Sequence, residues 1–103
     1  MDYFDRPELG LNALILDIQL KKTECPEIQE LSELVLSAGF FVEIVVTAPI
    51  DRPNPKWFLG KGKVNELKEI VASRDVHLLV VNCEISGAQH RNLEKFLGIR
   101  VIT

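Results

Sequence analysis

The sequence predicts a three-layer α/β domain with a four-stranded, mainly parallel sheet in the order 2-1-3-4 and helices on both faces. That is half of a doubly wound fold. Three observations predict it. Strand-length apolar runs alternate with segments whose apolar residues recur at helical spacing. Two runs, Ala13-Leu14-Ile15-Leu16-Asp17-Ile18 and Val76-His77-Leu78-Leu79-Val80-Val81-Asn82, are nearly continuous in apolar residues, as strands buried on both faces are. Successive strand patterns are separated by helix-length segments, which parallel neighbours require. The two most apolar strands, the first and third, belong at the centre of the sheet.

Each element has its own signature. After the first strand, Ile28, Leu31, Leu34, Val35 and Ala38 form a helical apolar stripe, with Glu27, Glu30 and Glu33 on the other faces. Cys25-Pro26 suits the start of this helix, because proline is tolerated where the N–H has no partner. Gly39 suits its end, where a left-handed residue is cheap only for glycine. Residues 40–47, β-branched and aromatic, form the second strand. Val64, Leu67, Ile70 and Val71 define a second helix ending near Arg74. Ser86-Gly87-Ala88-Gln89 has the spacing of a capping box, and Leu93, Phe96 and Leu97 form the core face of a third helix closed by Gly98. Residues 99–103 form the fourth strand. In this topology all strand-to-helix loops share the carboxyl edge of the sheet, so residues 19–25, 48–62 and 83–87 belong to one rim.

Composition bounds the function classes. The chain has 103 residues, 47% apolar and 26% charged, which suits one globular domain over 1–103. No apolar run approaches the roughly 20 residues of a membrane span and no signal peptide is present. Cys25 and Cys83 lack metal-ligand spacing and read as reduced packing residues of a cytoplasmic protein, with a disulfide as the alternative. The net charge of −3 hides an asymmetry: residues 1–50 carry −6 and residues 51–103 carry +3. A polyanionic partner is therefore expected to meet the second half.

That charge concentrates in Asp51-Arg52-Pro53-Asn54-Pro55-Lys56-Trp57-Phe58-Leu59-Gly60-Lys61-Gly62-Lys63. The connection is long for a strand-to-helix loop. It either has a role or hides a short extra strand around Trp57-Phe58-Leu59. Gly60, Lys61, Gly62 and Lys63 before a helix invite a phosphate-binding reading, through helix N–H groups and lysine charge. A P-loop is excluded, because Val64 follows Lys63 where a hydroxyl would hold Mg²⁺, and Trp57 stands at the leading glycine. Asn65 likewise breaks a GxGxxG pattern. Trp57 and Phe58 read as core or sheet-edge residues, with base stacking as the sharper alternative. Ser86 reads as a cap, His77 as a strand-edge residue and His90 as exposed. Gln89, Arg91, Asn92, Glu94 and Lys95 give the third helix a polar outer face, on which Arg91 and Lys95, one turn apart, can meet phosphates or carboxylates. No catalytic pair or metal set emerges, so the residues by themselves read as a non-enzyme.

Several segments together resemble the N-terminal domain of the HflX family of translational GTPases. They are Tyr3-Phe4-Asp5-Arg6, Asn54-Pro55-Lys56-Trp57-Phe58-Leu59-Gly60, Gly60-Lys61-Gly62-Lys63-Val64 with Glu66-Leu67, Ser86-Gly87 with Gln89 and Arg91-Asn92-Leu93-Glu94, and Arg100-Val101-Ile102. Gly87 stands where the family often has proline, and the chain stops at Thr103 where many members continue with an acidic residue. Since the family's helical hairpin and G domain have no counterpart here, the sequence is expected to be a fragment. The resemblance implies a domain that contacts the large ribosomal subunit and its rRNA and modulates the GTPase domain of the same protein. The full-length family splits or rescues stalled ribosomes under stress, using GTP and Mg²⁺, neither of which is implied for this chain. Arg52, Lys56, Lys61, Lys63, Arg91 and Lys95 are the expected rRNA or interdomain contacts. An ATP-binding role through Gly60–Lys63, or intramolecular docking alone, are the alternative expectations.

Overall fold

The computed structural model describes residues 11–20 and 28–103. Tyr3-Phe4-Asp5-Arg6, Cys25 and Pro26 lie outside the described residues. The elements run β1 (Asn12–Leu20), α1 (Ile28–Ser37), β2 (Phe41–Ile50), α2 (Lys61–Arg74), β3 (Leu78–Val81), α3 (Gly87–Leu97) and β4 (Arg100–Ile102). The sheet order is β2-β1-β3-β4 and every pairing is parallel, as the alternating pattern predicts. No helix among the described residues is long and apolar enough to cross a membrane.

Period-two alternation divides the apolar residues of β1 between two cores. Leu14, Leu16 and Ile18 join Leu79, Val81 and Val101 on the side of α2 and α3, against Val64, Leu67, Leu93 and Leu97. Ala13 and Ile15 join Leu78 and Val80 on the side of α1, against Val35. The second core is the smaller, and it corrects the predicted stripe of α1. Ile28, Leu31 and Val35 face the sheet, but Leu34 is 66% exposed and Ala38 is exposed as well. A single helix on that face buries only the stripe directly over the strands, and no second helix among the described residues covers its flank.

Two other expectations are corrected. β2 continues to Ile50, so the irregular connection is residues 51–60, and Lys61, Gly62 and Lys63 form the first turn of α2 rather than a loop before it. Cys83 is disulfide-bonded, which corrects its reading as a reduced packing residue. Spacing could not reveal this, since pairing depends on which residues the fold brings near Cys83.

β1 outruns β3 by several residues, because β3 ends at Val81 while β1 continues to Leu20. On the β3 side the backbone of Ile18 would then have no strand beside it, its other neighbour being Ala48 of β2. The side chain of Asn82, only 6% exposed, takes the place of the missing peptide. Its Oδ1 accepts from the Ile18 N–H at 2.8 Å, and its Nδ2 donates to the Ile18 carbonyl at 3.2 Å and to Asp17 Oδ1 at 3.2 Å. This is the point where the strand order reverses, the crevice at which doubly wound sheets admit ligands. Here Asn82 ties the two strands together across it.

The start of α3 is capped as its spacing predicts. Ser86 Oγ accepts from the Gln89 N–H at 3.1 Å, and Gln89 Oε1 accepts from the Ser86 N–H at 2.8 Å. Gly87 occupies the first helical position behind an extended Ser86 (φ −71°, ψ 161°). At its end Gly98 adopts φ 74° and donates its N–H to the Glu94 carbonyl.

Asn82→Ala is expected to lower stability by about 1–3 kcal/mol, because it strands the buried Ile18 groups without water. Urea unfolding should show a lower midpoint at unchanged slope. Gly87→Pro should raise stability by about 0.4–1 kcal/mol, since the backbone around it already suits proline and the unfolded chain loses freedom. Among the described residues, the one close neighbour of an added Cβ there is the flexible tip of Arg91, at 3.3 Å. A thermal melt with a lowered midpoint would contradict this.

Candidate functional site

The connection between β2 and α2 is a built structure. Asn54 Oδ1 accepts from the N–H of Lys56 at 2.7 Å and of Trp57 at 3.1 Å, closing a side-chain turn of the kind Asn favours. The backbones of Asn54 and Phe58 exchange hydrogen bonds in both directions, at 3.1 and 2.8 Å. The extra strand weighed for Trp57-Phe58-Leu59 is thus a single antiparallel bridge. To close it, Phe58 takes φ +70°, a left-handed conformation costing a bulky residue about 1–3 kcal/mol. Burial of its ring, and of Trp57 and Leu59 on either side, offsets that cost.

α3 holds this loop in place. Gln89, 8% exposed, donates from Nε2 to the Asn54 carbonyl at 2.8 Å while its Oε1 completes the cap. Asn92 Nδ2 donates to the Lys56 carbonyl at 3.0 Å. Phe96 meets the Trp57 ring edge-on, with centroids 5.3 Å apart and planes at 62°. Gln89, Asn92 and Phe96 recur at helical spacing, so one face of α3 reads the loop.

Glu94, a further residue of the predicted polar face, and His90 turn toward β4. Glu94 Oε2 accepts from the Val101 N–H at 2.9 Å, and His90 Nε2 donates to the Val101 carbonyl. Together they occupy a backbone donor and acceptor of β4, the strand at the sheet's edge. His90 is therefore half-buried and bonded, contrary to the expectation of an exposed ring. His77, half-buried, accepts from the Asn12 N–H at 3.1 Å and helps to place the start of β1.

The basic residues divide into three groups. Lys56 Nζ lies 5.0 Å from the Trp57 ring centroid, and Lys61 Nζ lies 5.4 Å from Trp57 and 5.6 Å from Phe96. Lys68 joins them, 5.2 Å from Phe96, and donates to the Phe96 carbonyl at 2.6 Å. Lys63, in contrast, is paired with Glu66 at 3.2 Å along α2. Arg52 is exposed in the loop, and Arg91 and Lys95 lie on the solvent side of α3, away from Gln89 and Phe96 in helical phase. The sequence reading missed Lys68. The signal was present, because Lys61 and Lys68 stand seven residues apart and so share a face of α2.

Gly60, Lys61, Gly62 and Lys63 begin α2 without a side-chain cap. Among the described residues nothing within 4 Å would meet a Cβ at Gly60 or Gly62.

The family described as GTP-binding GTPase N-terminal matches residues 26–103. The chain is 35% identical over 100 residues to GTPase HflX of Escherichia coli, covering 96% of this chain and 24% of that protein. To GTPase HflX of Caldanaerobacter subterraneus it is 37% identical over 90 residues, covering 87% of this chain and 21% of that protein. The chain thus spans less than a quarter of the length of these relatives. The crystal structure of an SsGBP variant superposes with a TM-score of 0.63 at 18% identity, over 89% of this chain and 28% of that one, a likeness of fold.

Gln89→Ala is expected to cost about 1–3 kcal/mol, since it removes both the cap acceptor and the donor to the half-buried Asn54 carbonyl. Amide exchange should then accelerate at Asn54 and Phe58 more than in β1. Uniform loss of protection across the chain would mean that Gln89 holds the fold and not the loop in particular.

Proposed function

The chain belongs to the N-terminal domain family of the HflX GTPases, and from that premise we propose that it is a ribosome-binding and regulatory domain. In this reading it works in the cytoplasm, meets the rRNA of the large ribosomal subunit, and modulates the GTPase domain of the same protein. GTP and Mg²⁺ serve that other domain, whose activity on stalled ribosomes this one directs. Arg52, Lys56, Lys61, Lys63, Arg91 and Lys95 are the candidate contacts to rRNA or to the neighbouring domain.

The observation that best supports the reading is the gathering of Lys56 and Lys61 over a rigid aromatic pair, on a loop that Gln89 and Asn92 hold still. Charges held in place lose little conformational freedom when they meet a polyanion. The uncapped start of α2 supports a second reading, a nucleotide phosphate bound by Gly60, Lys61, Gly62 and Lys63. Calorimetric titration with ATP and GTP separates the two, and an absence of heat at millimolar nucleotide would remove the second.

Sedimentation with large ribosomal subunits tests the first. Retention should fall with salt, and Lys61→Ala/Lys63→Ala should bind more weakly, with a log–log salt slope shallower by about one for each phosphate that is no longer neutralised. Binding that ignores both salt and substitution would leave these lysines without a role. If the domain acts only by docking, removing it should change the GTPase rate of the full-length protein while the isolated chain leaves ribosomes unbound.

A further inference from the structure

The geometry points to Lys56, Lys61 and Lys68, arrayed along the Trp57–Phe96 pair, as a site for the phosphodiester backbone of RNA, bound without regard to base. The inference rests on the rRNA reading above and narrows it to one surface and one mode of recognition.

Position and charge select these three. Lys56 and Lys61 share the Trp57 ring, and Lys61 and Lys68 share the Phe96 ring. Neighbouring ammonium groups therefore lie within a distance on the order of a Debye length, about 10 Å, so an anion at one feels the next. None of the three is paired with a carboxylate among the described residues, whereas Lys63 is paired with Glu66 and Arg74 with Glu43. Lys68 spends one donor on the Phe96 carbonyl, which fixes its position and leaves two of its N–H groups for a ligand. The ring faces orient the lysines by cation–π attraction, worth about 0.5–1 kcal/mol each at exposed sites.

The same rings determine what is recognised. Base stacking needs an open aromatic face. Trp57 is 9% exposed, its edge set against Phe96 and its backbone tied to Asn54. The aromatic pair thus serves as a platform under the charges, and its buried Trp57 offers no surface to a base. The site presents lysine point charges and no planar arginine fork, which suits a string of phosphates better than the paired oxygens of acidic side chains. Arg91 and Lys95 lie outside it, on the solvent side of α3.

Fluorescence anisotropy of the full 103-residue chain with labelled 20-nucleotide oligo-U and oligo-A, across a salt series, tests this. Polyglutamate serves as the competing acidic peptide. The expected result is equal affinity for the two RNAs within about twofold, and weaker competition by polyglutamate than by unlabelled RNA. Lys56→Gln, Lys61→Gln and Lys68→Gln should each flatten the salt slope by about 0.7, the value for one single-strand phosphate contact, while Arg74→Gln, at a basic residue paired with Glu43 outside the site, leaves it unchanged. Circular dichroism melts of each variant confirm that the fold is retained. A tenfold base preference, equal competition by polyglutamate, or an unchanged slope in Lys68→Gln would overturn the site. If Lys68→Gln leaves the slope unchanged while ribosomal subunits are still retained in a salt-dependent way, the rRNA reading stands and this surface does not. If neither RNA nor subunits bind, both fail.

Discussion

Gln89 is the side chain on which the rest of the candidate surface depends. With Asn82 it is one of two polar residues buried among the described residues. Its amide oxygen completes the cap of α3 and its amide nitrogen holds the carbonyl of Asn54. One planar group thus satisfies a helix terminus and fastens a loop, two places where backbone groups have no regular partner. Because the Gln89 side chain is itself buried, the two bonds together favour one arrangement of loop and helix over others. The strained Phe58, the Asn54 turn and the placement of Trp57 against Phe96 all presuppose that arrangement.

Asn82 solves the corresponding problem at the sheet. In a doubly wound sheet the reversal of strand order opens a crevice at the carboxyl ends, and many such domains place a ligand there. Here the amide of Asn82 bonds both backbone groups of Ile18 across it. The exposed chemistry lies instead beside the crevice, on the loop and on the neighbouring faces of α2 and α3. Buried amides act as structural pins, and the charges they position remain exposed, which is the division of labour expected of a binding module.

Much of the architecture was legible from residue order. Apolar runs placed β1 and β3 at the centre, and Ser86 with Gln89 and Gly98 marked both ends of α3, because caps and buried strands are local in their chemistry. The motif from Asp51 to Lys63 stood out by charge and by its prolines and glycines. Its internal form did not, since the Asn54–Phe58 bridge requires a left-handed aromatic that no propensity favours. The polar face of α3 is deceptive for a related reason. Gln89, Asn92 and Glu94 look like solvated residues until the loop and β4 are folded against them.

The sequence by itself determined the alternation of strands and helices, the order of the sheet, the family resemblance and the half of the chain that is basic. These follow from periodicity, composition and motif spacing, all of which are read along the chain. Only the tertiary structure decided which basic residues stand together. It brought Lys68 to the Trp57–Phe96 pair beside Lys56 and Lys61, whereas the pairing of Lys63 with Glu66 follows from their i,i+3 spacing on α2. Charge is counted in sequence, but its effect depends on distance and on burial of the surface beneath it, and both are set by how α2, α3 and the loop pack.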